Sequence, residues 1–115
     1  MSENQIEIKF AKGMEIAISD TKTSYEIGVE LLSICREQND KHGMAKAYLL
    51  LSYSGQFLGF YAQSYEYINL SIPLFNKYKD LKNLASAYNT LGFIFYYFDD
   101  HENRLEVNLK SLELS

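Results

Sequence analysis

Residues 92–100 read GFIFYYFDD. Taken alone, FIFYYF has the β-branched and aromatic character of a buried strand, and exposed it is an aggregation hazard. Its surroundings assign it differently. Leu84, Tyr88, Leu91, Phe95 and Phe98 step by four, three, four and three. That spacing draws one apolar stripe along a helix. The pattern outweighs the residue preference, and the stretch is expected to close a helix.

The same stripe occurs forty residues earlier, where Met44, Tyr48, Leu51 and Leu58 repeat it, with Gly55 at the place of Phe95. The offset aligns Ala45 with Ala85, Ala47 with Ala87, and small Ser52 with small Gly92. It continues through Glu66 and Glu106, Ser71 and Ser111, and Leu74 and Leu114. One more step back aligns Tyr25, Tyr65 and Leu105, then Leu32, Ile72 and Leu112. Self-similarity at such a period is the signature of a repeat architecture. Three units are expected, at about 1–40, 41–80 and 81–115, with the first degenerate on its outer side, as terminal repeats often are.

Six helices follow, near 3–18, 23–38, 42–58, 62–78, 82–98 and 102–114. Asp40 and Asp80 stand just before stripes, where a carboxylate can accept from free amides. Asp99–Asp100 and Gly59 mark turns inside the units. The second helix of each unit has its own apolar face: Tyr25, Val29, Leu32 and Cys35 in the first, Leu105, Leu109, Leu112 and Leu114 in the last. Pro73 falls inside the fourth helix, where it lacks an amide donor and crowds the carbonyl of Asn69. Either the helix kinks there or it ends early. Leu70, Leu74 and Tyr78 keep the stripe going and favour the kink.

These residues resemble the tetratricopeptide-repeat family. Tyr88, Leu91, Gly92 and Phe95 match its first-helix signature of an aromatic, Leu-Gly and a second aromatic. Ser111-Leu112-Glu113-Leu114 is similar to the aliphatic end of its second helix. Arg104 stands where the family usually has Ala, Asn108 where it usually has an aromatic, and Ser52 replaces the Gly. The resemblance implies an all-α fold: three TPR-like helix-turn-helix repeats of about 40 residues in a right-handed α-solenoid, one domain over 1–115. The longer unit looks like the repeats that precede output domains in bacterial signalling proteins, such as diguanylate cyclases (GGDEF) and sensor kinases. The ending SLELS has no polar capping helix and no C-cap Gly or Asn, which reads as a fragment of a longer protein.

Composition sets wider bounds. The chain has 115 residues, one Pro and six Gly, so few breakers interrupt long helices. Its net charge of −4 divides unevenly: residues 1–40 carry four Lys/Arg against eight Asp/Glu, residues 41–82 five against two, and residues 83–115 two against five. The one basic cluster, Lys77, Lys79 and Lys82, is interrupted by Asp80 and is too small for a nucleic-acid face. No apolar run reaches the ~18 residues of a membrane span. The start lacks a signal-peptide layout, so a cytoplasmic bacterial protein is expected. Cys35, the only cysteine, reads as a small buried apolar side chain.

Chemistry gets little support. His42 and His101 lack partners at metal-ligand spacing and read as exposed turn residues. Asp99, Asp100 and Glu102 read as helix-start charges rather than a cation loop. No phosphate loop or nucleophile elbow is present. Neither an enzyme nor a metal or cofactor is expected in this segment.

What remains is surface. The resemblance implies that the first helix of each unit lines a concave groove. The side chains outside the packing stripe are Lys46, Leu49, Tyr53, Gln56 and Phe57 on one helix and Ser86, Asn89, Phe93, Tyr96 and Tyr97 on the other. Tyr and Phe offer large contact area at modest entropic cost. The groove is expected to take a protein, a peptide or a downstream segment of the same protein. The competing reading is that these rings pack against the next helix pair. The first expected function is a non-enzymatic interaction or sensory module acting on a downstream output domain. The alternatives are a homodimerisation module and, more remotely, the receptor part of a peptide-pheromone regulator. The last needs a DNA-binding helix-turn-helix, and residues 1–115 hold none.

Overall fold

The computed structural model describes residues 1–114, and they fold into six α-helices with no strand among them. These are α1 (Glu3–Ile16), α2 (Thr21–Glu37), α3 (Lys41–Phe57), α4 (Tyr61–Lys77), α5 (Leu81–Tyr97) and α6 (His101–Leu114). The stretch GFIFYY is helical and ends α5, with Phe98 as its C-cap. Observed ends lie within two residues of those expected from the stripes.

The turns explain that regularity. Asn39, Gly59, Lys79 and Asp99 have φ of 54°, 82°, 55° and 59°, one left-handed residue every twenty positions. After each, an amide reaches back to the last turn: Asp40 N to the Cys35 carbonyl, Phe60 N to Gly55, Asp80 N to Phe75 and Asp100 N to Phe95, at 2.8–3.0 Å. The left-handed residues themselves donate to Arg36, Gln56, Asn76 and Tyr96. This is the Schellman pattern, which satisfies the orphan carbonyls of a helix end. The residue that closes one helix also opens the next. Asp40 Oδ1 accepts from Gly43 N at 2.9 Å, and Asp80 and Asp100 do the same for Asn83 and Asn103. Phe60 has no capping oxygen; its ring packs edge-on against Tyr25 at 5.5 Å.

Packing follows chain order. Each helix packs on the next, and α3 also touches α1 and α5. The core therefore centres on α3, whose Leu49, Leu50 and Leu51 are all buried. A helix apolar on most sides is a helix surrounded. Leu31, Ile68, Phe75 and Ile94 are fully buried as well. Small hydroxyls bond across neighbouring helices. Ser24 Oγ donates to the Gly13 carbonyl and Ser52 Oγ to the Ser64 carbonyl, both at 2.7 Å.

The fourth helix continues through Pro73 to Lys77 rather than ending early, as the unbroken stripe favours. Pro73 and Asn69 both face solvent, so water can take the carbonyl that the proline leaves without an amide. Phe98, expected to hold units together, is 45% exposed and touches Tyr65 only along its ring edge, at 5.8 Å. On α6, Leu105, Leu109 and Leu112 are exposed, and Val107 is the residue that reaches the core.

Candidate functional site

The expected groove residues separate into five environments. Asn89, Phe93, Tyr96 and Tyr97 of α5 line one cleft of about 550 Å³, together with Arg104 and Asn108 of α6. Ser86 lies in a different cleft of about 310 Å³, between α1 and α5, near Phe10 and Lys82. Lys46 is nearly covered, its Nζ 2.5 Å from Glu7 Oε2. Tyr53 and Phe57 pack edge-to-face on each other at 5.3 Å. Leu49 and Gln56 are buried, against the expectation that they line an open groove. Gln56 Nε2 has no hydrogen-bond partner among the described residues, and burying an unbonded amide is costly.

The α5–α6 cleft is therefore the surface that gathers most of the expected side chains. Its rings are oriented by one another. Tyr97 stacks on Tyr61 at 4.4 Å and meets Tyr96 edge-on at 5.8 Å. The Arg104 guanidinium lies over the Tyr96 ring, 5.5 Å from its centroid. Gly92 forms the floor, where a Cβ would run into Asn108 Oδ1. Ser111 Oγ, lower in the cleft, donates to the Ala85 carbonyl at 3.0 Å. The cleft thus offers flat apolar faces with one cation, Arg104, and two amides, Asn89 and Asn108, among its lining.

The α6 contribution was not foreseen from first-helix positions alone. A signal for it exists in the repeat: Arg104 aligns with Ser24 and Ser64, small residues that are both buried. A long cation at a position that is small elsewhere marks a place with room in front of it.

The polar groups elsewhere serve structure. His42 is half-buried rather than an exposed turn residue. Its Nε2 lies 2.7 Å from Asp80 Oδ2 and its ring stacks on Tyr78 at 4.8 Å, clamping the start of α3 to the start of α5. Burial pushes the Asp80 carboxyl up, but hydrogen bonds from His42 and Asn83 more than offset it and hold the group below its ordinary value. Burial, then the nearby Asp40, raises the Cys35 thiol, which disfavours a nucleophilic thiolate. Asp100 caps α6, and among the described residues no group of three His, Cys, Asp or Glu could hold a metal ion. Among the described residues no helix is long and apolar enough to cross a membrane.

In comparisons with known proteins, no family model matches the chain, and no curated protein and no solved structure matches it.

Proposed function

We propose that the chain is a non-catalytic interaction module, three tetratricopeptide-like repeats in a right-handed α-solenoid that bind a protein or peptide through aromatic side chains of α5. In a signalling protein of the kind its sequence resembles, occupancy would be passed to an output domain. The observation that carries the binding reading is the exposure of large apolar side chains around one cleft. Phe93 and Tyr96 are 50% and 55% exposed. Apolar groups gathered in one patch mark interaction sites far more often than scattered ones do. Tyr and Arg together are also the side chains that most often anchor binding.

The experiment is selection of peptides from a displayed library on the full chain, repeated with a Tyr53→Ala/Tyr96→Ala variant. Loss of capture with helicity retained is the expected result. A collapse of helicity would show that these rings are core and would remove the binding reading.

A second reading is self-association. Leu105, Leu109 and Leu112 form an exposed apolar stripe on α6, with Leu112 the most exposed of them. Scattering or sedimentation decides this: a clean monomer at high concentration eliminates it.

A further inference from the structure

Among the described residues, α3 lies against both α1 and α2, and α5 lies against both α3 and α4, whereas α6 touches only α5. The forty-residue offset converts this difference into a comparison of side chains. Asn89, Gly92 and Tyr96 correspond to Leu49, Ser52 and Gln56, all buried on α3. Arg104, Asn108 and Ser111 correspond to Ser64, Ile68 and Ser71, all buried on α4. Another forty residues back stand Ser24, Gly28 and Leu31, again buried, on α2. The contrast is large: Tyr96 is 55% exposed where Gln56 is 2%, and Leu112 is 70% exposed where Leu32 is 6%. The α2 and α4 positions are buried, each set beside a helix that crosses the pair, whereas Arg104, Asn108 and Ser111 are only part-buried and Asn89 and Tyr96 are exposed, Gly92 alone staying buried beneath Asn108.

We infer that the α5–α6 cleft is a docking site for an amphipathic helix of a partner protein, seated across α5 and α6 as α5 is seated across α3 and α4. This rests on the reading of the chain as an interaction module and adds the class of partner. The established internal interfaces define what fits. The buried face of α5 is Leu84, Ala87, Leu91 and Ile94, large apolar residues at steps of three, four and three with one small residue among them. Small residues let helix axes approach and neighbouring ridges interlock. The partner helix therefore carries apolar side chains at that spacing, with Ala or Gly second in the series. Arg104 adds a charge requirement. Among the described residues its contact is the Tyr96 ring, and no carboxylate lies within ion-pair distance of it. Covering an unpaired guanidinium is costly, so the partner helix presents Asp or Glu there.

A second copy of the chain does not supply this face. The positions of α1 that correspond to the buried face of α5 are Asn4, Glu7, Ala11 and Met14, and Glu7 is tied to Lys46. The exposed stripe of α6 runs Leu105, Leu109 and Leu112, with no small residue in it. The chain thus has an apolar end and a polar end, and head-to-tail stacking would join unlike surfaces.

The test uses the full chain and a synthetic helical peptide about eighteen residues long. The peptide carries Leu, Ala, Leu and Ile at the spacing of the α5 face, a Glu placed to meet Arg104, and Lys, Gln and Glu elsewhere. Calorimetry and NMR titration read the result. Saturable binding is expected, with shifts centred on Tyr96, Arg104 and Leu112. Leu112→Asp, at an exposed position where the fold tolerates it, should weaken binding by about tenfold or more. So should a peptide with Phe in place of its Ala. Binding that maps elsewhere, or that ignores Leu112→Asp, overturns the inference. So does absence of binding, whether the protein is monomeric or forms a dimer that Leu112→Asp dissolves. If this peptide fails while library peptides are still captured in a Tyr96-dependent way, the inference falls and the interaction-module reading stands. If both fail, both fall.

Discussion

Gly13 and Gly92 both sit where a second helix comes close, and the same substitution should have opposite effects at the two. A Cβ on Gly13 would lie 2.5 Å from Leu50 Cδ2, 3.0 Å from Cδ1 and 3.3 Å from Cγ. Leu50 is fully buried in the middle of α3 and has nowhere to turn. Overpacking of this kind costs about 1–3 kcal/mol. Replacing Gly by Ala inside a helix returns about 1 kcal/mol. The net expectation for Gly13→Ala is a loss of about 1 kcal/mol, a fall in Tm of about 4 °C for a domain of this size. At Gly92 the new methyl would meet the amide end of Asn108, a half-buried side chain at the edge of an open cleft. That amide can swing away, so Gly92→Ala should be neutral or should gain up to about 1 kcal/mol of helix propensity. Thermal and urea unfolding by circular dichroism measure both. Leu50→Val, which withdraws the clashing methyls, should recover part of the Gly13→Ala loss in the double variant. Equal Tm shifts of the same sign at the two positions, with no coupling to Leu50, would refute the steric argument.

Two further predictions concern the turns. Lys79 holds φ of 55° without being glycine, a conformation that costs an L-residue about 1–2 kcal/mol. Lys79→Gly should stabilise the chain by about 0.5–1 kcal/mol after the entropy of Gly is counted, read as a Tm rise of a few degrees; a fall would mean the Lys side chain matters more than the backbone. The Asp80 carboxyl is held below its ordinary value of 3.8 in the folded chain, so its contribution is present above that pH and is lost as pH falls through the lower folded value. Asp80→Asn should therefore lower Tm at pH 6, and the gap to the unaltered chain should close below about pH 4; a gap independent of pH would show that charge at Asp80 is irrelevant.

The helices were legible in the order of the residues alone. The stripe through Leu84, Tyr88, Leu91 and Phe95 made GFIFYY helical despite its strand-like residues, because period fixes which side chains share a face. Asp40 and Asp80 announced helix starts, because a short acceptor before a stripe has few other uses. The candidate surface was only half legible. Four of its residues on α5 could be named from the repeat, but Leu49 and Gln56 were named with them and are buried.

The burial of each face depends on packing. Periodicity gives the direction in which a side chain points and leaves open whether another helix stands there. Leu49 and Asn89 occupy the same place in their units, yet one is core and the other faces solvent, since α3 has helices on every side and α5 does not. The bond between His42 and Asp80 joins residues 38 positions apart, and only the lateral packing of α3 against α5 brings them together. The cleft between Tyr96 and Arg104 is of the same kind. Its residues are visible in the chain, but its openness comes from the number and order of the helices around it.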